Sequence, residues 1–387
     1  MATIPIVAGY GAGWNTALTT ENFNYIGHGG EEIESATEND FSFILRSAGT
    51  YSRLWCHVSL NGTSAASDFR FRKAQADGNQ TISIGAFATG DFEDTTNTDA
   101  VTAGQKVNLS LTLGSGNSTT ITTSRVLFAA DTNTVMTFVL GNSEAVNQAN
   151  RYWTMAGNIS NEQSTQTDVE MTIRKAGTAK NLYVRVPSNG SSQTSNIFLN
   201  QNQSNTALTV SIGASATGDF EDTTNTVSIS AGDEINYEVD QGGGGNLAVA
   251  TIKTEYETTD NSQYFVQGDS GGQSFGLSVN DFFPLSGVFV VTGSEGPTDI
   301  PMQVSSKRLA NLIVNMTINT LDAGTCVVRT RIAGANGNVS VSISAGSTGL
   351  FEDTTNTDDF TATELLNFNL VTSGAVSGAV TVTIVGV

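Results

Sequence analysis

The chain has 387 residues, enough for two or three domains of ordinary size. Asp and Glu outnumber Lys and Arg by 37 to 17, for a formal charge of −20. That balance argues against binding nucleic acid, which requires a basic face, and against an anionic membrane surface.

Only 14% of residues are charged, so the polar surface comes from Ser, Thr, Asn, Gln and Gly, as in turn-rich β proteins. The first 22 residues, beginning "MATIPIVAGYGAGWNTALTT", are Gly- and Ala-rich and read as an N-terminal arm lying on a neighbour, or as a frayed lead-in. They lack the basic flank and apolar stretch of a secretory signal, and no run in the chain is long enough to span a bilayer.

The next segment, 23–149, contains Tyr25 in "NYIGHGG", then "DFSFILRSAGT" (40–50) and "LWCHVSLNG" (54–62). Alternation points Cys56 inward with Leu54 and Val58, and His57 outward. Residues 150–262 repeat the order with Tyr152, "DVEMTIRKAGT" (168–178) and "LYVRVPSNG" (182–190). Here the alternation is plainest. Val169, Met171 and Ile173 share a face, as do Leu182, Val184 and Val186, Leu208, Val210 and Ile212, and Ile235, Tyr237 and Val239. This is the pattern of half-buried strands, about eight to a unit. Residues 263–387 carry the third copy, with Tyr264, "DIPMQVSSKR" (299–308) and "LIVNMTINT" (312–320). Counting from Tyr264, this copy contains an insertion near 271–290. The expected fold is all-β: three tandem β-sandwiches, jelly-roll or immunoglobulin-like, related by internal repeat.

One phrase marks the repeat. "TGDFEDTTNT" stands at 89–98 and 217–226, and "TGLFEDTTNT" at 348–357. It connects two strands in each unit. Gly90, Gly218 and Gly349 suit unusual backbone angles, Phe92, Phe220 and Phe351 are expected to pin the loop by burial, and Asn97, Asn225 and Asn356 to hydrogen-bond its backbone. The phrase therefore reads as a structural joint. A Ca²⁺ site from Asp91, Glu93, Asp94, Asn97 and Asp99 is the sharper reading, but Leu350 replaces Asp91 in the third copy and Val227 replaces Asp99 in the second. No cofactor or metal is expected.

Other chemistry is sparse. His28 and His57 have no Cys or His at ligand spacing, and "GDSGG" (268–272) lacks the contexts of a serine protease. Cys56 and Cys326 are expected as buried thiols, with a bridge between them as the alternative. No catalytic constellation is present, so an enzyme is not expected. In the insertion, Phe275, Phe282, Phe283 and Leu285 form an apolar load expected to pack against another subunit or a neighbouring unit, with folding back onto its own sandwich as the alternative.

These Gly/Thr/Asn-rich units with "TGxFEDTTNTD…AGD" resemble repeat modules of tailed-phage virion structural proteins, among them capsid decoration proteins and tail-fibre modules. The resemblance covers roughly residues 23–387. It implies a bacteriophage virion protein made in the host cytoplasm, an assembly role, coat subunits as partners, and a homo-oligomer such as a trimer. The alternative is a tail-fibre or receptor-binding protein touching host glycans. That reading requires an exposed aromatic platform from Trp14, Trp55, Trp153 or the "NDFFPL" segment.

Overall fold

Period-two patterning becomes strand along most of the described residues. Pairing is antiparallel except at two short parallel pairs, Leu140–Gly141 with Gly157–Asn158 and Gly268–Asp269 with Gly287–Val288. The computed structural model describes residues 3–16, 21–27, 37–115, 118–147, 150–158, 162–258, 264–269, 275–277, 280–285, 287–288, 294–303, 308–373 and 376–386. Among these the only helical elements are three short 3-10 turns, Glu38–Phe41, Gln166–Asp168 and Gly296–Thr298.

The strands form six sheets, in three pairs that are contiguous in sequence. In the second pair, Gly177–Val186 lies between Gly218–Ile229 and Leu247–Thr258, and Leu247–Thr258 in turn pairs with Thr134–Val146. The facing sheet places Ser195–Gln201 between Ser204–Ile212 and Glu234–Asp240. The first and third pairs repeat this order. The alternating residues meet between the sheets: Met171, Leu182, Val184, Leu208, Val210, Ile235 and Val239 are all buried. Tyr237 is buried among them, its hydroxyl 2.7 Å from Thr254 Oγ1.

Backbone irregularities repeat as well. Arg53, Asn181 and Asn311 sit at positive φ at a bulge in the equivalent strand of each unit. Ala74–Gln75, Asn202–Gln203 and Ala333–Gly334 have positive φ at both positions, as a two-residue type I′ hairpin requires.

The unit boundaries differ from the sequence reading. Ile4–Thr16 is no arm: it pairs along Thr119–Ala130 as a strand of the first unit. Likewise Thr134–Val146, assigned above to residues 23–149, pairs with Leu247–Thr258 and so belongs to the second unit. The described units thus run 4–130, 134–258 and 264–386. The insertion disappears by the same correction. Asn280–Phe283 pairs with Leu365–Thr372, as Asn22–Asn24 pairs with Lys106–Thr112 and Arg151–Trp153 with Glu234–Asp240. Tyr264 therefore opens the counterpart of Ile4–Thr16, not of Asn22–Asn24, and the third unit is no longer than the others.

Candidate functional site

In each repeated loop the Asp of "FED" organises the turn. Asp94 Oδ1 accepts from the backbone N–H of Thr96 and Asn97, both at 3.0 Å. Its Oδ2 accepts from Thr81 N–H at 3.0 Å and from Asn97 Nδ2 at 2.9 Å. Asp222 takes the same four bonds from Thr224, Asn225 and Thr209, and Asp353 takes their equivalents from Thr355, Asn356 and Ser340. Burial pushes these carboxyls up, but the donors outweigh it and hold all three below the ordinary value, Asp353 at about 2. The sequence reading named the asparagines as the loop's hydrogen-bonding residues and weighed Asp94 only as a calcium ligand, not as the acceptor that they serve.

Gly90, Gly218 and Gly349 take φ of 100°, 122° and 106°. Phe92, Phe220 and Phe351 lie opposite Cys56, Val184 and Val314 on the neighbouring strand, so the three rings are equivalent. They are only partly buried, packing against the edge of the core rather than inside it. The expectation of full burial is corrected: the loop borders the sheet, where one side of each ring remains open.

In the second and third copies the Glu of "FED" meets the preceding unit, whereas Glu93 of the first copy is held by Arg125 and Arg53 of its own unit. Glu221 Oε1 accepts from Arg46 Nε of the first unit at 3.0 Å, and its Oε2 meets the same guanidinium. Arg174 of the second unit forms an ion pair with Glu352 of the third, in a geometry outside hydrogen-bond alignment. The third unit has no arginine six residues after its Asp in "DIPMQVSSKR". There the first unit reaches across instead. Buried Arg125 donates to Glu93 Oε1 at 2.6 Å within its own unit and to the carbonyl of Pro301 in the third. The three contacts therefore close on themselves, first to second, second to third, and third to first.

Each contact has the same plan. An Asp at or beside the 3-10 turn of one unit meets a cross-strand pair on the next. Asp40 faces Arg185 and Asp219, whose residues lie opposite one another. Arg185 holds Asp40 Oδ1 at 2.9 Å, and Lys106 Nζ holds Asp219 Oδ2 at 2.7 Å. In the second contact the cross-strand pair is Asn315 and Leu350, and Asn315 Nδ2 donates to Thr167 O at 3.0 Å. In the third it is His57 and Asp91, with His57 Nδ1 2.7 Å from Asp91 Oδ1. Asp299 completes that contact. Burial, Glu295 and Asp91 push its carboxyl up to about 7, against the opposing pull of His57 and Arg331. His57 thus faces away from the core, as its alternation with Cys56 predicts, and meets a carboxylate.

Behind the first contact lies a buried ion pair. Lys253 Nζ is 2.8 Å from Glu255 Oε1, and both side chains are fully buried. Glu255 also accepts from Arg46 N–H, Ser47 Oγ and Asn181 Nδ2.

The remaining expected residues fall as follows. Phe282 and Phe283 are buried inside the third unit, Phe283 against Phe368 at 5.3 Å between ring centroids and Phe282 beneath the Arg331 guanidinium. Leu285 is buried too. A subunit contact through them is corrected: Phe282 and Phe283 are strand residues and Leu285 lies just beyond the strand, all three buried in this chain. The side chain of Phe275 lies outside the described residues, as do His28 and residues 270–272 of "GDSGG". Trp14, Trp55 and Trp153 are buried and form no exposed platform. Cys56 and Cys326 are free, buried thiols, the second pushed up to about 12 by burial. Among the described residues no three His, Cys, Asp or Glu gather in an arrangement suited to a metal ion, and no helix is long and apolar enough to cross a membrane. Neither a protein-family model nor a curated relative matches the chain.

Proposed function

We propose that the protein is a non-enzymatic virion structural protein of the capsid decoration type, binding coat subunits on the outside of a phage shell. One observation carries this reading: the closed ring of head-to-tail contacts among three equivalent units. A head-to-tail interface that closes generates rotational symmetry, and a chain with three such units presents nearly the same surface three times. Shell lattices offer three-fold positions where three coat subunits meet. One chain would cap such a position without further oligomerisation. The polar, acidic exterior suits a soluble component that docks on a finished shell.

The test mixes the purified chain with shells assembled without it and images them by electron cryomicroscopy. Density at three-fold or quasi-three-fold positions, one chain to each, is the expected result. Shells that stay bare under all ionic conditions overturn the reading. Saturable binding to host glycans with no binding to shells transfers the protein to the receptor-binding class.

A further inference from the structure

The three contacts share a plan but not a charge set. In the first, Asp40 and Asp219 are matched by Arg185 and Lys106, two carboxylates against two cations. In the second, Asp168 stands in the place of Asp40 and Asn315 in the place of Arg185, while Leu350 replaces Asp219. Glu234 begins its strand where Lys106 begins the equivalent one, so a cation has become an anion. Glu170 occupies the place of Ser42, two residues beyond the Asp.

The result is a cleft of about 470 Å³ between the second and third units, lined by Asp168, Glu170, Gln203, Glu234, Asn315 and Leu350 among others. No Lys or Arg lines it. A second observation is independent of this acidity. Glu170 is only 6% exposed; its carboxyl meets Glu234 and Gln203, and burial with Glu234 pushes it up to about 7, yet its Oε1 is buried without a hydrogen-bond partner. A carboxylate oxygen in that state is costly unless something arrives to meet it.

A metal ion fits poorly, since among the described residues no three carboxylates gather closely enough to share one. The first contact shows what this geometry accepts: there a guanidinium sits against the equivalent Asp. We propose that the cleft between the second and third units receives the guanidinium of an arginine side chain from a partner protein. Asp168, Glu170 and Glu234 supply the acceptors that its fork of donors requires. Leu350, 44% exposed at the rim, offers an apolar surface for the arginine stem. Only the source of the arginine, a coat subunit, rests on the assembly reading; the chemistry of the cleft does not.

The probe is agmatine, a small guanidinium compound, titrated into the full-length chain with amide resonances followed by NMR. Saturable shifts confined to residues around Asp168, Glu234 and Asn315 are expected. The variant E170Q/E234Q, shown to be folded by its melting temperature, should bind at least about tenfold more weakly, because hydrogen bonds to charged acceptors are the strong ones. Absence of saturable shifts, shifts undiminished in the variant, or the same shifts from magnesium chloride alone would each overturn the proposal. Shell binding separates the two readings. Agmatine binding without shell binding defeats the assembly reading and leaves the cleft. Shell binding without agmatine binding does the reverse.

Discussion

Arg46 and Glu221 belong to different units, 175 residues apart, and meet through both carboxylate oxygens. This contact and that of Arg174 with Glu352 use the Glu of the repeated phrase between units, while Glu93 of the first copy pairs with Arg53 and Arg125 of its own unit. The Asp holds the loop in all three copies, and the Glu faces a neighbouring unit in the second and third. A double-mutant cycle with R46A and E221A should give a coupling of about 1 kcal/mol in denaturant unfolding. The pair is partly exposed, so salt should weaken it. Zero coupling at low salt would remove it as a latch.

Asp353 supplies a second prediction. It accepts four hydrogen bonds from its own loop and the adjoining strand, including Asn356 Nδ2 at 2.9 Å. Substituting Ala for Asp353 removes the charged acceptor of four part-buried hydrogen bonds and should cost about 1–3 kcal/mol. Its folded pKa, about 2, lies below the unfolded value near 4, so the stabilisation is full above that unfolded value. It is lost as pH falls through about 2. A carbon-detected carboxyl titration with a midpoint near 4 would refute this.

Much of the fold was legible because a strand announces itself by period two. Leu182, Val184 and Val186 are buried as their alternation requires. The matched spacing around Phe92, Phe220 and Phe351 also located equivalent positions correctly. The first strand was not legible. "GYGAGW" interrupts the alternation with glycines, and the pairing of Ile4–Thr16 shifts register between Gly9 and Trp14. Missing that strand displaced every boundary after it and created an insertion that does not exist. The inter-unit role of Glu221 was out of reach for another reason. Its partner, Arg46, is ordinary in its local sequence and acquires meaning only when two units dock.

A third prediction concerns the closing contact. Asp299 faces Glu295, Asp91, His57 and Arg331, and its pKa is raised to about 7. A carboxyl whose folded pKa lies above its unfolded value binds protons more tightly when folded. The contribution of Asp299 to stability should therefore be full below about pH 4, fall as pH rises towards 7, and level off above that. The variant D299N keeps the shape and removes this titration. It should match the parent near pH 4 and exceed it near pH 8, as read from melting temperatures at both values. A constant difference across that range would rule the mechanism out.

The last prediction tests the buried pair behind the first contact. Lys253 and Glu255 are both fully buried 2.8 Å apart, and Glu255 also accepts from Arg46, Ser47 and Asn181. Burial alone raises a carboxyl's pKa, but Lys253 and these donors outweigh it and hold Glu255 at about 2. Substituting Gln for Glu255 leaves the Lys253 ammonium buried without its counter-charge. Removing one partner of such a pair costs about 3–5 kcal/mol, far more than the pair contributes relative to an apolar replacement. The double variant K253M/E255L removes both charges together and should recover most of that loss. Because Arg46 and Ser47 come from the first unit, the two variants should differ in a second way. E255Q should loosen the docking of the first unit on the second, seen as faster amide exchange at residues 46 and 47 under native conditions. The double variant loses the same inter-unit acceptor and should show that exchange too, even while its global stability recovers. If exchange there stays slow in both, Glu255 acts within the second unit alone.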